Sequence, residues 1–516
     1  MNRGAIARAA LLVTAFTLIS RVLGFLREAY LAKEFGTSAA TDAFATALML
    51  VNSVAAILAY TMVSVIIPAI ERERHDHDER SSWRLVWTVG AWVTIGLVGL
   101  GAVVGLWPDL VVAPFGFDEA RAQLLRELVQ IMAPALALQG ITGLLTAVLQ
   151  AQRKFLGPAV VGIAFNLGII VALALFGGIR AAAWGVVIGA AAQVLFQLPQ
   201  LIGAMREVGV WRPQLTHPRL GVVLASAGPI ALASVLQQIN AFSDKYFAAP
   251  LGDGHVSALN FAHAAGSLPR TAFLMPLLAP LFPVIARMAA ERRHTDTAGA
   301  FHRAAGVLAL VSLPLGAFMV LYANEVAQLM FGRGRCDISC VTDIAGPLRF
   351  LAIATWASFL GYLLNRTINA MNASRDIFLS TAISVVVVIG LDIVLVGPMG
   401  ISGLALASSL GVFTSLVISL VQLKRILPQA GLRPLAVQQA RMLLAIALAC
   451  VAAWASNGYA PTLDRPWREM ALPLAVKTLI GGMVFISAMR ILAPAVLREG
   501  AEAARSLVKR RSNEAS

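Results

Sequence analysis

The chain has 516 residues, of which 58% are hydrophobic and 13% charged, with a mean hydropathy of +0.77. A soluble protein carries about 25% charged residues, so a water-soluble globular fold is excluded. The net charge of +14 does not mark a nucleic-acid binder, because the basic residues are dispersed in short loops and no basic domain exists.

Apolar runs of about 20 residues, each able to cross a ~30 Å hydrocarbon core, recur from one end to the other. They predict an all-α polytopic membrane protein with about fourteen transmembrane helices. The spans fall near 8–33, 40–70, 83–106, 122–150, 156–177, 181–204, 220–249, 255–288, 299–322, 343–371, 377–396, 400–423, 437–456 and 470–493. The first reads as a retained helix, since no small-residue cleavage site follows it. Even-numbered loops are basic, as in ERERHDHDERSSWR and RMAAERRHTDTAGAFHR, whereas the odd-numbered KEFGTS, APLGDGH and VGPMG hold one Lys or Arg between them. Arg333, Arg335, Arg465 and Arg468 run against this bias but are outnumbered, so both termini are expected in the cytoplasm. Cys336 and Cys340 share the polar loop FGRGRCDISC and could pair if it is extracytoplasmic; Cys450 lies in an apolar helix.

The chain also repeats itself. EAYLAKEFGTSAATDAFATA can be laid on DKYFAAPLGDGHVSALNFAHA, matching Glu28 with Asp244, Tyr30 with Tyr246 and Gly36 with Gly252 at one offset. VIIPAIERE at Pro68 echoes PLFPVIARM at Pro283, and AAAWGVVIGA at Gly185 echoes GISGLALASS at Gly403. Two pseudo-symmetric six-helix lobes follow, 1–210 and 211–425, with two extra helices and a basic cytoplasmic tail in 426–516. Parallel repeats of this kind are a transporter's architecture, with the substrate expected between the halves.

Charges inside such helices are rare and need a reason. SRVLGFLREA places Arg21, Arg27 and Glu28 on the first helix, and SAATDAF opens the second with Asp42. Snorkelling to the interface is the plain explanation; recognition of an anionic headgroup is the functional one. Arginine suits the second role, because its planar fork donates paired hydrogen bonds to phosphate and keeps its proton. The second half adds Asp244 and Lys245, His263, Arg270, Arg349, Arg366 and Asp392. Asp392 stands among Val, Ile and Leu, so it is either an interface-level carboxyl or a cation or proton site, shared with Asp244. His263 reads more simply as a polar residue packed between helices. No P-loop, HExxH or GxSxG appears, so gradient- or potential-driven transport is expected rather than enzymic chemistry. No cofactor is expected beyond a coupling cation, Na+ or H+.

At SRVLGFLREAYLAKEFGTSAATDAF the chain resembles the MviN/MurJ family, flippases of the multidrug/oligosaccharidyl-lipid/polysaccharide exporter superfamily. RTINAMNASRD and GISGLALASSL resemble the wider superfamily. The resemblance implies a V-shaped pair of lobes, alternating access in the bacterial inner membrane, and an undecaprenyl-diphosphate-linked saccharide as cargo. It places Arg21, Arg27, Glu28, Asp42 and Asn52 on the substrate cavity, with Arg270 as a displaced helix-eight arginine, and a cation site in the second lobe. The departures are as informative. An arginine pair of the family is replaced here by Ala55 and Ala56, its glutamate by a residue near Tyr60, and a further cavity arginine by Ala264. Each paired phosphate contact is worth ~1.5–3 kcal/mol, so these losses point to altered cargo. An exopolysaccharide or other surface-polysaccharide unit is the first expectation, peptidoglycan precursor (lipid II) the second, and a drug or cation antiporter the third. From another class stands a membrane scaffold of a polysaccharide assembly complex; glycosyltransferases or a polymerase of the pathway are candidate partners in either case.

Overall fold

Lipid offers no hydrogen bonds, so an apolar chain in a membrane must satisfy its backbone within each segment, and helices do this. The structure, a computed structural model, describes residues 3–208, 215–371, 373–455 and 467–502, and among these no strand occurs. The basic tail from 503 onward and the loop at 456–466, with Arg465, lie outside the described residues.

The first part of the chain runs α1 (Arg3–Phe35), α2 (Ala39–Asp76), α3 (Glu79–Leu106), the short α4 (Asp109–Val112), α5 (Glu119–Ala151), α6 (Leu156–Phe176), α7 (Gly178–Val208) and α8 (Leu220–Ala248). Polar side chains set the starts. Ser38 accepts from the Thr41 N–H at α2, Asp78 from the Ser81 N–H at α3, and Asp118 from the Arg121 N–H at α5. There follow α9 (His255–Pro269), a π turn at Arg270–Leu274, α10 (Met275–Ala290), α11 (His294–Leu321), α12 (Ala323–Phe331), α13 (Ile338–Ile353), α14 (Thr355–Ala370), α15 (Ser374–Ile426), α16 (Leu432–Ala455) and α17 (Trp467–Leu492).

Among the described residues ten helices are long and apolar enough to span a bilayer, or eleven if α13 and α14, bent by 45°, form one span. This number leaves out α1 and the run from α9 to α10, and takes the two arms of α15 as one. The expected spans at 377–396 and 400–423 both lie in α15, where two helices meet at Gly400, whose φ of 56° and ψ of −140° leave the helical region in a conformation that favours glycine. The expected span at 255–288 runs through α9, the π turn and α10 without a gap.

The chain divides into two compact units, residues 1–257 and 258–516. Helix α8, which the repeat assigns to the second half, thus belongs to the first unit, where it packs on α2. In that unit α2 also lies along α5, α3 and α7 flank α5, and α6 pairs with α7 and α1. Glycines bring α6 and α7 into backbone contact: a Cβ on Gly168 would meet the Gly189 Cα at 2.5 Å, and one on Gly185 the Ile169 Cα at 2.7 Å. A core of Met62, Ile66, Ile70, Trp83, Leu144 and Val148 joins α2, α3 and α5.

The second unit is built around α11, which packs on α13, α14 and α16. Phe301, Phe359, Leu363 and Leu416 fill one part of it, and Met442, Phe485 and Met489 seal the α16–α17 pair onto α11. Cys336, in the loop after α12, forms a disulfide with Cys340 in the first turn of α13.

Candidate functional site

The charged residues of α1 do not point aimlessly into lipid. Helix α1 packs on α6, and Gly24 faces Asn166 of α6: a Cβ there would stand 3.7 Å from its carboxamide, in ordinary van der Waals contact. Asn166 is anchored by its Nδ2, which donates to the Gly162 carbonyl at 2.8 Å and to the Ser20 carbonyl at 3.3 Å. Its Oδ1 is then turned to accept from Arg27 Nη1 at 3.1 Å. Arg27 Nη2 donates to Glu28, in an ion pair whose side chains are 13% and 9% exposed. The Arg27 Nε–H is buried and has no acceptor among the described residues. The guanidinium is fixed in place with one donor unused.

Lys245 and Asp244, from the last turns of α8, are buried in the same unit, and Lys245 interacts electrostatically with Asp244, Glu28 and Asp42. The negative charges of Asp244, Glu28 and Asp42 all act on this buried ammonium.

Asp42 has a different placement. It is wholly buried, and its carboxylate accepts from the backbone N–H groups of Gly254 and Ser257, both at 2.7 Å, pinning the start of α9. Arg121 Nη1 stands 3.9 Å away; this guanidinium also pairs with Asp118 and with Asp253 at 3.1 Å, donates to the Ala249 carbonyl at 3.3 Å, and lies over the Phe117 ring. Those bonds satisfy Asp42 structurally. Arg21 on α1 and Asn52 on α2 are exposed.

The other sequence-selected residues belong to the second unit. Arg270 is exposed and opens the π turn, a deformation often found at functional positions. Asp392 is wholly buried on α15. Arg366 lies over the Phe282 and Tyr362 rings and donates to the Tyr362 hydroxyl at 2.7 Å. Ala264 is half-buried on α9. No group of three or more His, Cys, Asp or Glu is placed to hold a metal ion among the described residues.

Asn166 and Arg121 were not singled out from the sequence. Asn166 did carry a signal, a lone carboxamide in the apolar run GIAFNLGII. Arg121 did not: at a helix start beside Asp118 it looks like any interfacial charge.

This arrangement of helices and buried charge has known counterparts. A family profile described as lipid II flippase MurJ matches residues 31–466. The chain belongs to this family. The lipid II flippase MurJ of Burkholderia cenocepacia is 28% identical over 422 residues, covering 78% of this chain and 81% of that protein. A probable lipid II flippase MurJ of Thermotoga maritima is 26% identical over 416 residues, covering 79% and 83%. In structure, the chain is similar to a lipid II flippase MurJ in an inward closed conformation, with a TM-score of 0.79 at 17% identity over 94% of this chain and all of that one. A multidrug-resistance MATE transporter of the MOP superfamily, facing inward, gives 0.66 at 17% identity over 79% of this chain and 95% of that one. The fold is that of the MurJ and MATE transporters. Membership in the MurJ family makes the chain a multi-pass membrane transporter of the MOP superfamily. The SRVLGFLREA helix keeps Arg27 and Glu28 in contact.

Proposed function

We propose that this protein flips lipid II, the polyprenyl-diphosphate-linked precursor of peptidoglycan, across the bacterial inner membrane. Its family and its named relatives favour this cargo over the surface-polysaccharide unit that the missing arginines first suggested. The observation that carries the chemistry is Arg27, held by Asn166 and Glu28 with its Nε–H unused. In the empty state Glu28 neutralises the guanidinium. A diphosphate oxygen arriving at Nε–H and Nη2 displaces Glu28, whose charge is then carried by Lys245. Exposed Arg21, six residues earlier on α1, meets the second phosphate, and Asn52 the saccharide side. Charge-assisted hydrogen bonds of this type are worth about 1.5–3 kcal/mol each.

Alternating access needs no nucleotide here. A diphosphate carrying about two negative charges gains ~2.3 kcal/mol per charge per 100 mV on leaving a negative interior. A cation, Na+ or H+, at Asp244 or Asp392 resets the empty carrier. Both termini lie in the cytoplasm in this reading, which the Cys336–Cys340 disulfide supports, since its loop then meets the oxidising side. Glycosyltransferases or a polymerase that make and use the saccharide are the fitting neighbours.

Proteoliposomes with dye-labelled lipid II test this. Wild type should move the label at a rate that rises with an inside-negative potential, and Arg27→Ala should be slower by about 10-fold or more. Transport by Arg27→Ala at the wild-type rate would overturn the role given to Arg27. Movement of a surface oligosaccharide on the same lipid, without lipid II, would restore the other cargo.

A further inference from the structure

Away from the charged site, the first unit carries an apolar groove of 330 Å³ between α3, α5 and α7. It is lined by Trp83, Gly90, Ala91 and Ile95 of α3, Leu144 of α5 and Met205 of α7. The recess exists because α3 is small there. Gly90 has no Cβ, and one would press on Leu144 Cδ2 at 3.0 Å, while its neighbour is Ala91. Along α3, Trp83 to Ile95 rises about 18 Å at 1.5 Å per residue, a little more than one leaflet of a ~30 Å hydrocarbon core.

One end of the groove is basic. Arg80 and Arg84 lie on the groove-lining stripe of α3, three residues before Trp83 and Trp87 respectively, and Arg206 follows Met205 on α7. All three arginines are exposed, and none has a carboxylate partner within ion-pair distance among the described residues. Trp83, at the same end, keeps a buried indole N–H with no acceptor among the described residues. Apolar depth of one leaflet with uncompensated arginines beyond it matches two parts of one lipid, its acyl chain and its phosphate.

We propose that this groove is a binding site for a single anionic phospholipid of the leaflet at the basic end, its acyl chain seated between α3, α5 and α7 and its phosphate held by Arg80, Arg84 and Arg206. The site is separate from the Arg27 cluster and does not depend on which cargo is carried. By occupying the seam of three helices, the bound lipid fixes their spacing.

The test uses full-length protein in vesicles of phosphatidylcholine and phosphatidylglycerol, each in turn carrying a diazirine midway along one acyl chain. Photolabelling should map to peptides containing 83–95, 141–148 and 201–205, with the phosphatidylglycerol probe favoured by about five-fold or more. Arg80→Glu/Arg84→Glu should erase that preference, and Ala91→Trp should remove labelling of the groove by both probes. Unlabelled phosphatidylglycerol should compete. Equal labelling of wild type by the two probes would mean ordinary annular lipid and would overturn the proposal; this comparison needs no variant to fold. Displacement by a polyprenyl diphosphate but not by phosphatidylglycerol would assign the groove to the cargo's chain and would overturn it equally.

Discussion

Arg27 and Asp42 sit close together in the sequence and illustrate two fates for a charge in a membrane. Asp42 has its carboxylate filled by two backbone N–H groups and faces Arg121, so it holds the fold. Asp42→Ala should lower the thermal midpoint of the purified protein, losing about 1.5–3 kcal/mol for each charged hydrogen bond removed, whereas Asp42→Asn should retain part of that loss. Arg27 keeps a donor in reserve; Arg27→Ala should also lower the melting temperature, because it strips buried Glu28 of this partner, and should in addition weaken transport. A third residue reports on the basic loops. His217 lies near Glu73, which also meets Arg219 at 2.8 Å, Ser81 at 2.6 Å and His77 at 3.2 Å. Burial pulls the His217 pKa below the ordinary imidazole value; Glu73 opposes this, and Arg219, His77 and Arg84 add to it. A neutral imidazole is therefore favoured in the fold, and the unfolded chain binds more protons below about pH 6.5. Stability from this residue is complete above that pH and declines as pH falls toward the lowered value. Hydrogen exchange across residues 215–220, corrected for intrinsic rates, should accelerate between pH 7.5 and pH 5.5, and His217→Gln should flatten the change.

Among the elements, the α6–α7 pair decides how firmly Arg27 is held. Gly168, Gly185 and Gly189 put the two backbones in contact, and GVVIG is a small-xxx-small pattern suited to that approach. Gly189→Val would place atoms 2.6 Å or less from the Phe165 carbonyl, one residue before Asn166. It should displace Asn166 and reduce lipid II transport even in variants that remain folded, with Gly189→Ala intermediate; normal transport by Gly189→Val would show that α6 position does not matter to the site. Much of the helix plan was legible from the sequence, because apolar runs and turn residues are local signals. What was not legible is equally physical. At VGPMG the sequence shows a break between two spans, but not that Gly400 makes it by leaving the helical φ and ψ. The pinning of Asp42 could not be seen either, because its partners are main-chain N–H groups at Gly254 and Ser257, which any residue supplies. Pairing of Glu28 with Arg27 was legible as adjacent opposite charges; the clamp from Asn166 needed the α1–α6 contact.

For the whole molecule, family membership sets the class of function and a few residues set its detail. The chain is a MurJ-family membrane transporter, and in the proposed cycle Arg27 carries the recognition of the diphosphate. Potential-driven export of a diphosphate lipid should therefore depend on that guanidinium. The most direct measurement is complementation of a bacterial strain depleted of its own lipid II flippase, with wild type and Arg27→Ala produced at equal levels in the membrane. The expected result is growth with wild type and lysis with Arg27→Ala. Lysis with correctly inserted wild type, or growth with Arg27→Ala, would contradict the proposal.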